Sequence, residues 1–173
     1  MSARKSDAEI KDLVDMLDVK AQALLLKDGK HAPLVFFVNA GGGMDIILAV
    51  GLMTGGPGKD VLAHLIRRKV AAGCQAVVFI AESWATTTPK ERRGEIEHWL
   101  ATHGHSIREH PERKEVLMVR AAWRGHSISR FHLMHRDTAG TLVKVGPVIA
   151  PDIPEDTPMT EDRFFGDLPW RQP

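Results

Sequence analysis

The longest unbroken apolar run in the chain, Ala76-Val77-Val78-Phe79-Ile80-Ala81, is rich in β-branched and aromatic residues and is bounded by Gly73 and the polar Thr86 to Thr88. It predicts a strand buried on both faces, hence an inner strand with cover on each side. Before it, Ile10, Leu13, Val14, Leu17, Ala21, Leu24 and Leu25 recur at helical spacing. Ser6-Asp7-Ala8-Glu9 has the form of a capping box at the start of this helix, and Asp28-Gly29 supplies its stop. Pro33 to Val38 reads as a strand, Asn39 to Gly43 as a turn and Asp45 to Val50 as the hairpin partner. Gly51 to Lys59 reads as a flexible connection into a second helix, with Val61, Leu62, Leu65, Ile66 and Val70 as its apolar face and Gly73 at its end.

Thr88-Pro89-Lys90-Glu91 is a second capping box, with proline at the first helical position, and predicts a short helix carrying Ile96, Trp99 and Leu100 and running out near Gly104. From Glu115 the period changes to two. Leu117, Val119, Ala121 and Trp123 fall on one face and Met118, Arg120 and Arg124 on the other; after Gly125, Phe131 and Leu133 lie opposite Ile128, Arg130, His132, Met134 and Arg136. Asp137 to Gly140 predicts a turn and Thr141 to Ile149 a last strand. The fold class is therefore α+β: a mostly antiparallel five- to six-stranded sheet with helices packed on it, in the order α-β-β-α-β-(α)-β-β-β.

That order resembles the profilin-like and roadblock-like folds, which implies helices on one face of the sheet. The middle of the chain, roughly Ala76 to Val145, is similar to a set of uncharacterised bacterial and phage proteins through Glu82-Ser83-Trp84 and Arg113-Lys114-Glu115-Val116-Leu117. This likeness implies no activity.

The 173 residues, 43% of them hydrophobic, suffice for one domain, which burial alone can stabilise without disulfide or metal. Residues 1–150 are expected to form it, with 151–173 as an acidic, proline-rich tail. Cys74 is the sole cysteine, the amino terminus has no signal-like apolar core, and no apolar run reaches the roughly 20 residues of a membrane helix. A cytoplasmic setting is the expectation. A net charge of +1 calls for neither nucleic acid nor an acidic surface in bulk.

Local chemistry is more informative. His98, His103, His105 and His110 have the spacing H-x4-H-x-H-x4-H, and imidazoles so placed, with Glu95, Glu97 or Glu109, are candidate zinc ligands for a metal-dependent hydrolase. The H-x-H is similar to that of the JAMM metalloproteases, but the Ser-x-x-Asp that completes their motif is missing. Gly55-Gly56-Pro57-Gly58-Lys59-Asp60 fails as a phosphate loop, since Met53 stands where a glycine is needed and Asp60 where a Ser or Thr would hold magnesium. Gly-His-Ser-Ile occurs at Gly104 and at Gly125, each lacking the final glycine of a nucleophile elbow. Cys74, opening a buried strand, reads as a small apolar residue. No cofactor pattern is complete, and none is expected.

Two features remain. Arg120, Arg124, Arg130, His132 and Arg136 share a basic face if the strands pair as drawn, a candidate anion- or nucleic-acid-binding surface. In the tail, five prolines and six acids surround Phe164-Phe165-Gly166-Asp167-Leu168-Pro169-Trp170. Exposed aromatics are costly, so Phe164, Phe165, Leu168 and Trp170 are candidate contacts to a protein partner or a second subunit, or anchors in an apolar groove. The expectation is a non-enzymatic binding or assembly protein that uses its sheet surface and tail.

Overall fold

In the computed structural model, residues 4–53, 55–86, 90–103, 107–149, 163–166 and 168–170 are described. Helix α1 spans Asp7–Asp28 and starts as its sequence dictates: the Ser6 hydroxyl accepts the Glu9 N–H at 3.2 Å while the Ser6 N–H donates to the Glu9 carboxylate at 2.7 Å. It stops at Gly29, whose φ of 73° lets its N–H reach the Leu25 carbonyl. The strands are β1 (Leu34–Val38), β2 (Met44–Leu48), β3 (Ala76–Thr86), β4 (Arg113–Trp123), β5 (His126–Arg136) and β6 (Leu142–Ile149). They form one antiparallel sheet of six strands, ordered β2-β1-β3-β4-β5-β6.

The run predicted to be central is so. Every residue from Ala76 to Ala81 is buried, with β1 on one side and β4 on the other. Alternation then sorts the sheet into two cores. On one face Phe36, Val38, Val78, Ile80, Leu117, Val119 and Ile128 meet Ile10, Val14, Leu17, Ala21 and Leu25 of α1. On the other, Val35, Phe37, Val77, Phe79 and Ala81 meet Leu62, Ile66 and Val70 of helix α2 (Gly55–Ala71). The helices thus cover both faces, where the profilin-like resemblance implied one. A strand apolar on both sides requires this, because either face left bare would expose its row.

The connection before α2 is also more ordered than its glycines suggest. A short 3₁₀ turn, Val50–Leu52, follows β2, and α2 begins at Gly55, ahead of the apolar positions that mark it. Gly58 packs so closely that a Cβ would lie 2.9 Å from the Leu52 carbonyl oxygen. This glycine serves packing, not flexibility. The described residues 90–103 and 107–112 come between the two strands of the long β3–β4 hairpin, whose pairing runs from Val77–Ala122 to Thr86–Arg113. Within it a 3₁₀ turn (Lys90–Arg92) leads into α3 (Arg93–Thr102); Thr88 and Pro89 of the second capping box lie outside the described residues. Among the described residues no helix is long and apolar enough to cross a membrane.

Candidate protein-binding surface

The basic face does not form as drawn from the sequence. Residues 123 and 126 pair across a two-residue turn, so even-numbered residues of β4 stand opposite odd-numbered residues of β5. Arg130 is opposite Val119, and Arg120 is opposite Ser129. Arg130, His132 and Arg136 therefore share the α1 face with Ile128 and Met134, while Arg120 lies on the α2 face with its guanidinium 5.3 Å from the centre of the Phe165 ring.

On the α1 face the charges are matched within the chain. Arg130 donates to Asp15 at 2.7 Å and to Asp18 at 3.1 Å, and His132 Nε2 lies 2.7 Å from the buried Asp18 carboxylate. Burial alone would raise the Asp18 pKa, but the hydrogen bond and charge of His132 and hydrogen bonds from Gln22 and Arg130 together hold it below the usual carboxylate range. Burial opposes the Arg130 charge too; Asp15 and Asp18 outweigh it and raise the arginine pKa. Arg136 makes a forked pair with Glu115 at 2.7 and 2.8 Å, and Arg124 donates to the Lys5 carbonyl and to Asp7. Arg130, His132 and Arg124 thus tie the sheet to α1 and to the chain ahead of it, and the Arg136–Glu115 pair ties β5 to β4.

Two of the four histidines gather on an indole. His103 stacks on Trp99 at 4.4 Å, and His110 meets the same ring edge-on at 4.9 Å. The His110 Nδ1 accepts the Glu112 N–H, and His98 is exposed. His105 lies outside the described residues. Among those described, no three His, Cys, Asp or Glu side chains converge as a metal site would require.

The tail aromatics lie on the chain's own second core. Phe165 is buried, and Phe164 meets Phe79 edge-to-face at 5.4 Å. Leu168 and Trp170 pack beside them. The apolar groove expected for this cluster is therefore intramolecular, between α2 and the β3–β4 face.

What the sheet leaves open is its β2 edge. The Asn39 N–H donates to Gly43 O and the Ala49 N–H to Pro33 O, each at 2.8 Å, so residues 43, 45, 47 and 49 turn their amides toward β1. By alternation, Met44, Ile46 and Leu48 turn theirs off the sheet. Their side chains lie on the α1 face, opposite Val38, Phe36 and Leu34. They are 41%, 56% and 62% exposed, because α1 lies over β3, β4 and β6 and does not reach them. The only charge of this strand, Asp45, points to the other face and is paired with Lys69 at 2.8 Å; that hydrogen bond, one from Asn39 and the ammonium charge hold its carboxyl below the usual range. The sequence pattern does identify these residues as a hairpin strand, but whether a hairpin strand ends a sheet depends on distant pairings.

No protein family, curated protein or solved structure matches the chain.

Proposed function

We propose that the chain is a non-enzymatic assembly protein that joins a second copy of itself edge to edge through β2. One observation carries this: Met44, Ile46 and Leu48 present outward backbone groups and exposed apolar side chains at the same positions. A flat edge of this kind is a template for another strand.

Self-complementarity favours a copy of the same strand. A twofold axis through Ile46 places Ile46 against Ile46 of the partner subunit and Met44 against Leu48 of the partner subunit, so each cross-strand pair on that face is apolar. The same residues have the outward amides, and the ladder then closes with about six backbone hydrogen bonds. Asp45 falls opposite Ile47 of the partner subunit, and its charge is already balanced by Lys69 of its own chain.

The contrast with the other edge supports the same reading. Strand β6 contains Lys144 and Pro147, and its pairing with β5 is broken by register shifts at His132/Met134 and His135/Arg136. Lysine, proline and bulges are the devices that keep an edge from pairing. β2 has none of them.

Sedimentation equilibrium of the parent protein should give twice the 19.1 kDa chain mass, and Ile46→Lys should give a monomer with unchanged circular dichroism. A parent protein that stays monomeric as its concentration is raised, or an Ile46→Lys protein with the parent mass, would refute the assignment.

A further inference from the structure

Helix α1 covers only part of its face of the sheet. Its buried apolar positions, Ile10, Val14, Leu17, Ala21 and Leu25, are flanked by two stripes of different character. On one flank Asp15, Asp18 and Gln22 turn toward β5, where Arg130 and His132 take up the two carboxylates. At about 100° per residue, Leu13, Met16, Lys20, Leu24 and Lys27 fall on the opposite flank, toward β1 and β2.

Leu13 is half-buried against the core, while Met16 and Leu24 are 41% and 47% exposed. Below them the exposed side chains of Met44, Ile46 and Leu48 continue the same face. Together they make an apolar groove with α1 as its wall and β2 as its floor. Edge pairing through β2 leaves the groove open, because it joins backbones and keeps the side chains on the face of the sheet.

The shape of the groove selects a helix. β1 and β2 together present a width of about 10 Å, two strand spacings, which is the diameter of one helix. The wall from Leu13 to Leu24 runs for about 16 Å, or three turns. A helix laid there continues the layer that α1 begins, at the usual axial separation of about 8–10 Å. A flat surface would rest on α1 and leave the floor uncovered.

Charge selects its composition. Lys20 and Lys27 stand on the groove flank, exposed and in no ion pair among the described residues. Glu9, at the helix start on this flank, has its carboxylate held by Ser6, and Asp45 of β2 points to the other face and Lys69. The rim is therefore cationic, and a helix with acidic residues along its edge matches it.

We infer that the groove between α1 and β2 receives an amphipathic helix of a partner protein, apolar toward Leu24 and Ile46 and acidic toward Lys20 and Lys27. The groove lies within one protomer, so this docking goes beyond the β2 pairing and does not depend on it.

The test presents the full chain to a displayed library of helical peptides about 15 residues long, with leucines at i, i+3, i+4 and i+7 and either Glu or Lys at each polar position. Selection should enrich glutamate, and Lys20→Glu combined with Lys27→Glu should reverse the preference to lysine. Leu24→Asp should weaken the enriched peptide about tenfold or more, the usual effect of losing an apolar anchor. Val19→Asp, on the outer side of α1, should leave its affinity unchanged. None of these residues belongs to β2, so each variant should keep the mass and circular dichroism of the parent, and a failure of docking is read apart from a failure of the β2 pairing. No enrichment over peptides with scrambled leucines, a charge preference that the double substitution leaves unchanged, or equal affinities for Leu24→Asp and the parent would overturn the assignment. A reduced mass for Leu24→Asp would also overturn it, since the groove would then hold a second copy of the chain.

Discussion

Phe165→Ala should destabilise the protein by about 3–5 kcal/mol, the usual cost of truncating a buried phenylalanine, and lower its thermal midpoint by about 10 °C. The ring lies 94 residues after Ala71, the end of α2, yet it belongs to the same core as Leu62, Ile66 and Val70. It is 5% exposed, has Arg120 over one face and sits beside Phe164, which is edge-on to Phe79. Truncation would open a cavity in that layer and remove the ring beneath the Arg120 guanidinium. Thermal unfolding followed by circular dichroism is the check. A variant with the parent midpoint would mean that the segment from Arg163 to Trp170 does not complete the core, and its aromatics would again need a partner elsewhere.

Asp18→Ala should cost about 3 kcal/mol, because removing the carboxylate takes the buried His132 from its ion-pair partner and leaves Arg130 with Asp15 alone. The Asp18 carboxylate answers both Arg130 and His132, and the side chains of Asp18 and Arg130 are only 6% and 14% exposed. The pH dependence follows from the direction of the shift. The folded-state pKa of Asp18 is held below the usual carboxylate range, as is that of Asp15, so in acid the unfolded chain binds more protons than the folded one. The stabilisation is complete above about pH 4 and is lost as the pH falls through the folded-state values. Urea unfolding from pH 7 down to pH 2 should show this loss in the parent protein and a shallower acid slope in Asp18→Asn. Equal slopes in the two proteins would remove Asp18 from the acid response.

What was legible in the sequence was local. The capping box at Ser6 and the left-handed stop at Gly29 concern residues within one turn of each other, so α1 is bounded as its sequence implies. The apolar run from Ala76 identifies an inner strand because a two-sided burial leaves its mark on each residue. The basic face went wrong for a reason that the sequence does contain. Arg124 and Gly125, with φ of 35° and 86°, make a two-residue turn of the kind that closes tight hairpins, and such a turn sets odd residues against even ones. Period two was right within each strand, but Arg120 and Arg130 had to fall on opposite faces. The tail and the β2 edge were not legible in this way. Burial of Phe165 depends on a groove built from α2 and the β3–β4 layer, and the exposure of Ile46 depends on where α1 lies across the sheet; neither is encoded near the residue concerned.

The proposed assembly also gives the glycine-rich stretch after β2 a mechanical context. Met44 to Leu48 is braced from behind by β1 and by the Lys69–Asp45 pair, and the Val50–Leu52 turn with its close Gly58 contact anchors the strand's exit to α2. An edge held this firmly has little conformational entropy left to lose on pairing, which favours association of a short strand.

The most direct test is position-specific cross-linking with a short bis-maleimide. Cys74 does not interfere: it is 8% exposed, and burial pushes its thiol up to about 11. A cysteine introduced as Ile46→Cys would sit on the twofold axis, about 5.5 Å from its mate between α-carbons in a hydrogen-bonded antiparallel pair. One introduced as Val143→Cys, on the opposite edge of the sheet and 58% exposed in the parent, serves as the control. Pairing through β2 predicts a covalent dimer from Ile46→Cys and none from Val143→Cys; cross-linking that is absent at residue 46, or no greater there than at residue 143, would contradict it.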